Sequence, residues 1–82
     1  SLYVADVVAF DAARGLAVVE SKNRFAVGDR LELIQPGGVR ELVVERIENA
    51  AGAPLDCIKG ADHRAWLPLP ADAVGAFVAR FV

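Results

Sequence analysis

The chain has 82 residues, 55% of them hydrophobic, with a mean hydropathy of +0.37 and a formal charge of −2. These values exclude a disordered chain and describe one domain, near the lower size limit for a core without covalent staples. They also argue against a grip on nucleic acid by bulk charge, leaving room only for a local basic patch.

Apolar runs are short and alternate with turn signals at about eight- to twelve-residue spacing, the pattern of a small all-β sandwich or barrel. A first strand is expected at Tyr3 to Phe10. It ends in a hairpin loop from Asp11 to Gly15, in which Asp11 bonds the backbone two residues on and Gly15 takes positive φ. A second strand runs from Leu16 to Glu20, and a third from Arg30 to Gln35. In the third, Leu31 and Leu33 alternate with Glu32, the period of two that separates a buried face from a wet one. Pro36-Gly37 reads as a type II turn.

The fourth strand, Arg40 to Ile47, has a phase conflict, because Leu42 and Val44 share one face and Ile47 lies on the other. A one-residue bulge near Glu45-Arg46 is the expected remedy. Asn49 to Gly52 and Pro54 make the next turn. A short segment at Asp56 to Ile58, a strand at Ala65 to Leu69 and a last strand at Ala76 to Val82 follow. Pro70 to Gly75 suits one helical turn at most. With so many short strands, closure into a six- to seven-stranded β-barrel is the economical way to remove edges.

No apolar run approaches the ~20 residues needed to span a bilayer, and no leader opens the chain, so a cytoplasmic domain without membrane partners is expected. The absence of Met and the apolar ends suggest a domain cut from a longer protein.

Catalytic candidates are few. Cys57 and His63, the only thiol and the only imidazole, would need mutual hydrogen-bond reach and an orienting third group to form a nucleophile pair. The blander reading makes Cys57 a small buried hydrophobe and His63 a loop residue. Ser1 and Ser21 are the only serines and there is no Thr, which argues against a serine hydrolase. The carboxylates sit singly at turns or alternate with apolar residues, as solvated faces do. Trp66 and Phe77 are candidate base-stacking platforms, although core anchoring is the default for Phe77 and Phe81. The best binding candidate is Ser21 to Gly38, where Lys22, Arg24, Arg30 and Arg40 would converge around two turns whose N–H groups suit anions. The structural alternative makes Asn23 and Gly28-Asp29 ordinary turn residues and sets Phe25 and Val27 as a plug.

In order, KNRFAVGDRLELIQPGG, the V-V-E-R-I run, AGAPLD and the closing G-A-F-V-A-R resemble the C-terminal domain of the peptidase U32 family, over Tyr3 to Arg80. The resemblance implies a small β-barrel similar to domain 2 of elongation factor Tu, appended to a catalytic domain. Members are named collagenase-like peptidases, and relatives hydroxylate transfer RNA or ribosomal RNA or act in ubiquinone hydroxylation. No catalytic residue, metal or cofactor is carried onto this piece. The implied role is a non-catalytic accessory domain that positions RNA or protein substrate for the parent enzyme. Its partners would be the catalytic domain in cis and transfer or ribosomal RNA. The alternative is a structural module packed on the catalytic domain through a patch centred on Phe25 or Trp66.

Overall fold

Strand β1 (Leu2–Asp11) opens the computed structural model, which describes Ser1–Val82, and its register slips twice, between Tyr3 and Ala5 and between Val7 and Ala9. A bulge adds an unpaired residue and so changes which side its neighbours face. Val4 and Ala5 are consequently both buried, whereas Val8 is left outside. The following hairpin forms as expected, with Gly15 at φ +67° and its N–H on the Asp11 carbonyl at 2.8 Å. The Asp11 carboxylate accepts from the Arg14 N–H, three residues on rather than two.

Strand β2 (Leu16–Ser21) leads to β3 (Phe25–Ala26), β4 (Arg30–Gln35) and β5 (Gly38–Val43). In β4 the expected alternation holds, with Leu31 and Leu33 buried. The hairpin to β5 has two loop residues, but it is not a type II turn. Gly37 lacks the positive φ that type requires, and Gly38, at φ +145°, takes the unusual conformation as the ladder closes on Gln35.

The chain resolves the phase conflict after Val43 by leaving the sheet rather than by a bulge. Val44 bonds across to the β3–β4 turn, donating to the Asp29 carbonyl and accepting from the Gly28 N–H, both at 2.9 Å. Ile47 then starts a new strand, β6 (Ile47–Glu48), with its own partners, and both Val44 and Ile47 are buried. The remaining elements are β7 (Pro54–Leu55), β8 (Cys57–Ile58), β9 (Arg64–Leu67), a 3₁₀ turn (Ala71–Ala73) and β10 (Phe77–Arg80).

The fold is all-β. Eight strands form one antiparallel sheet in the order β5-β4-β10-β1-β2-β9-β6-β7, and β3 and β8 form a separate ribbon. Ten strands therefore replace the six or seven expected, because two-residue pairings have no periodicity to read. The sheet does not close into a barrel. Its edges are defended instead, β7 by Pro54, which has no N–H to offer, and β5 by exposed Arg40 and Glu41. A single 17-residue cluster fills the interior and includes Val19, Phe25, Leu31, Leu33, Ile47, Leu67 and Val78.

Candidate functional site

Ser21 is the one polar residue that the fold buries completely. A buried hydroxyl needs partners. Its Oγ donates to the Gly60 carbonyl at 2.6 Å and accepts from the His63 N–H at 3.0 Å. Its own N–H donates to the His63 carbonyl, and its carbonyl accepts from the Asp62 N–H. These four bonds fasten the β8–β9 loop to the end of β2 and hold Asp62 in the left-handed region, at φ +66°. Beside them, the β3–β8 register of Phe25 with Ile58 and Ala26 with Cys57 runs segment 21–26 antiparallel to segment 57–63.

One corner therefore gathers Lys22, Arg24, Lys59, His63 and Arg64. Lys22 and Arg64 share a single carboxylate, Glu20, at 3.9 and 3.6 Å. Arg24 and Lys59 are exposed and have no carboxylate partner. Arg80 fixes the backbone here, since its Nε donates to the Arg24 carbonyl at 3.2 Å and stands 3.8 Å from Asp29. Asp29 in turn accepts from the Ala26 N–H at 2.7 Å. Its carboxylate thus belongs to the loop's own scaffold.

The four cations expected to converge do not. Lys22 and Arg24 stay together, but Arg30 pairs with Glu41 at 3.2 Å and lies over the Phe81 ring. Arg40 sits toward the β4–β5 hairpin, bonded to Asp72 at 3.1 Å and to Gln35. Strand geometry is the reason: Arg40 is opposite Leu33 while Arg30 is opposite Val43, three rungs away. Lys59 and Arg64 carry no signal in the sequence, and His63 is expected there only as a partner of Cys57 or a loop residue, because nothing local announces the β3–β8 ribbon that brings them in.

Phe25 is 1% exposed and packs in the core, so it is no interface residue. Its pairing opposite Ile58 turns it inward. Trp66 is half-buried, donates from Nε1 to Asp11 at 3.0 Å and lies under the Arg14 guanidinium at 4.7 Å, so it centres no apolar patch. Phe77, assigned to the core by default, is 56% exposed, because Val78 takes the inward position of β10. Cys57 is partly exposed rather than buried. It shares a surface depression with His63, but no hydrogen bond joins them and nothing orients the imidazole. No group of three or more His, Cys, Asp or Glu side chains is placed to hold a metal ion, and no helix is long and apolar enough to cross a membrane.

Residues 1–80 match the model of the peptidase family U32 C-terminal domain. The chain belongs to this family. It is 44% identical over 57 residues to tRNA hydroxylation protein P of Escherichia coli (strain K12), and 32% identical over 59 residues to the protein of the same name from Haemophilus influenzae. Those matches take in 70% and 72% of this chain but only 13% of each relative. The U32 C-terminal domain fold is also that of a crystallised C-terminal domain of a U32 peptidase from Geobacillus thermoleovorans, with TM-score 0.80 and 22% identity over 99% of this chain and 93% of that one. Its selenomethionine variant superposes with TM-score 0.83 at 22% identity, covering 99% and 100%. At that identity the likeness speaks for the fold.

Within this U32 C-terminal domain, residues in and beside the stretches quoted from the sequence have physical roles. Gly28-Asp29 anchors Val44, Arg80 ties the last strand to the Arg24 loop, and Asn49 caps the turn before Pro54 by accepting from the Ala51 and Ala53 N–H groups.

Proposed function

We propose that this U32 C-terminal domain is a non-catalytic module that positions RNA for the remainder of a longer U32 protein. The observation that carries the reading is the corner at Ser21: on a chain of net charge −2, cations gather there in excess of carboxylates, on loops fastened by buried hydrogen bonds. Relatives named for tRNA hydroxylation make RNA the anion to test. Lys22 and Arg24 contact phosphate, joined by Lys59 and Arg64, while Arg30 and Arg40 stay with their carboxylates. Titrating the 82-residue chain with transfer RNA at two salt concentrations tests this. Affinity is expected to fall with salt, and Arg24→Ala to weaken binding and reduce the salt slope by about one. No binding, or binding indifferent to both salt and Arg24→Ala, overturns it.

A second reading, a packing module for the parent's catalytic domain, draws on a different surface. Val39, Ile34 and Phe77 stand directly opposite one another across β5, β4 and β10, all exposed, and Tyr3 meets Phe77 edge-on with ring centroids 6.0 Å apart. Contiguous exposed apolar patches mark interaction sites. On this reading Phe77→Ser leaves the isolated chain's unfolding temperature unchanged but lowers that of the full-length protein. Equal behaviour of the two full-length forms argues against it.

A further inference from the structure

The depression at the foot of the β8–β9 loop has a volume of about 240 Å³ and is lined by Leu55, Cys57, Ile58, Lys59 and His63. It is smaller than the roughly 300–1,000 Å³ of sites for drug-sized ligands. Its lining has two chemistries, an apolar side from Leu55, Cys57 and Ile58 and a rim carrying an ammonium and an imidazole. That combination is what one nucleotide presents in reverse, a flat base beside a phosphate.

Two further observations concern how the rim is held. Loops usually move, yet this one is fixed at Gly60, Asp62 and His63 by the only fully buried polar residue, Ser21. The anchor leaves Asp62 as the chain's one non-glycine residue with positive φ. Strained residues that their surroundings over-determine cluster at ligand clamps, and a site held by locked neighbours costs less to order on binding. The exposed side chains of Lys59 and His63 form no hydrogen bond or ion pair within the chain, although the His63 backbone is bonded to Ser21 and Lys59 lies between the paired Ile58 and the held Gly60. The polar groups project from a held loop and are free for a ligand.

We propose that this depression is a subsite for a single unstacked nucleotide of single-stranded RNA. The base rests against Leu55 and Cys57 beside the His63 ring, over the buried Ile58, and the phosphate faces Lys59, with Arg24 and Lys22 on the path of the neighbouring phosphates. Sequence-tolerant binding of single strands combines such stacking with a basic track. A duplex has no splayed base to insert, so the site selects single strands, loops and bulges. The proposal rests on the RNA reading above and adds a place and a strand preference to it.

The test compares a short mixed-sequence single-stranded RNA with its duplex, by fluorescence anisotropy on the 82-residue chain and on His63→Ala and Lys59→Ala variants. The single strand is expected to bind more tightly. His63→Ala should weaken it on the order of tenfold with the salt slope kept, the signature of lost stacking. Lys59→Ala should weaken it and lower the slope by about one, the signature of a lost phosphate contact. His63 is the only histidine, so its ring proton resonances should move upfield on adding the single strand. If the chain binds no RNA, the broader reading fails and this one with it. If Arg24→Ala weakens binding while His63→Ala does not, only the subsite is overturned. Equal affinity for duplex and single strand, or an unmoved His63 signal in a saturated complex, overturns it as well.

Discussion

Two arginine-bearing loops flank β2, and they handle their charge in opposite ways. At one end, Arg14 is spent entirely on the fold. Its guanidinium donates to the Asn49 carbonyl at 3.0 Å and to the Ala50 carbonyl, stands 3.9 Å from Glu48 and 3.7 Å from Asp11, and covers the Trp66 ring. It thereby ties the β1–β2 hairpin to the β6–β7 turn over the outer face of the sheet, where Val18 lies opposite Trp66. At the other end, Arg24 is fastened through its carbonyl and its side chain is left free. A saturated cation stabilises, and an unsaturated one on a fixed backbone is available to a ligand.

The largest effect separating the two should come from Arg14→Ala. It strips two backbone carbonyls of their donor, uncovers Trp66 and leaves Asp11 and Glu48 without their shared cation. Hydrogen bonds from a charged group and a cation–π contact, discounted for partial exposure, put the loss at about 1–3 kcal/mol. Urea unfolding should show it, and on the proposed RNA reading the variant's affinity for transfer RNA should match that of the parent chain. A variant as stable as the parent chain would mean that the latch is decoration. Arg24→Ala should do the reverse and stay within about 0.5 kcal/mol of the parent in the same urea experiment. A clear loss of stability there would turn the corner into a second latch.

The smallest effect concerns the apolar sheet face near the Lys22 corner. The Tyr3 hydroxyl donates to Asp6, and this bond, followed by desolvation and the Asp6 charge, pushes the phenol up to about 12. A tyrosine whose folded value is raised favours the fold while protonated. Its contribution is therefore full below about pH 10 and is lost as pH rises through about 12. Tyr3 is the only tyrosine, so UV absorbance follows it directly. Asp6→Asn should return the midpoint toward 10, and an unchanged midpoint would deny Asp6 the role.

Much of this architecture was readable in residue order. The β4 strand fell on its expected bounds because leucine–glutamate alternation and flanking turn residues agree with one another, and the Asp11 to Gly15 hairpin followed from the same local chemistry. The stretch from Val43 to Ile47 shows where local reading stops. The conflict of phase was visible, but a bulge and an exit from the sheet satisfy it equally, and only the available partners at Asp29 and in β9 decide between them. The same limit applied to the site. Lys22 and Arg24 stood out as charges that turn geometry does not require, whereas His63 looked like an ordinary loop residue and Lys59 carried no local signal.

The sequence alone determined an all-β chain with a few well-marked turns, and its ordered motifs marked the family, because turn preferences and side-chain period act over a few residues. Tertiary structure alone decided that the sheet stays open, that Phe25 is buried and Phe77 exposed, and that Arg40 parts company with Lys22. Each of these depends on which strands become neighbours. Pairing across tens of residues is fixed by the packing of the whole core, and no short window of sequence contains it.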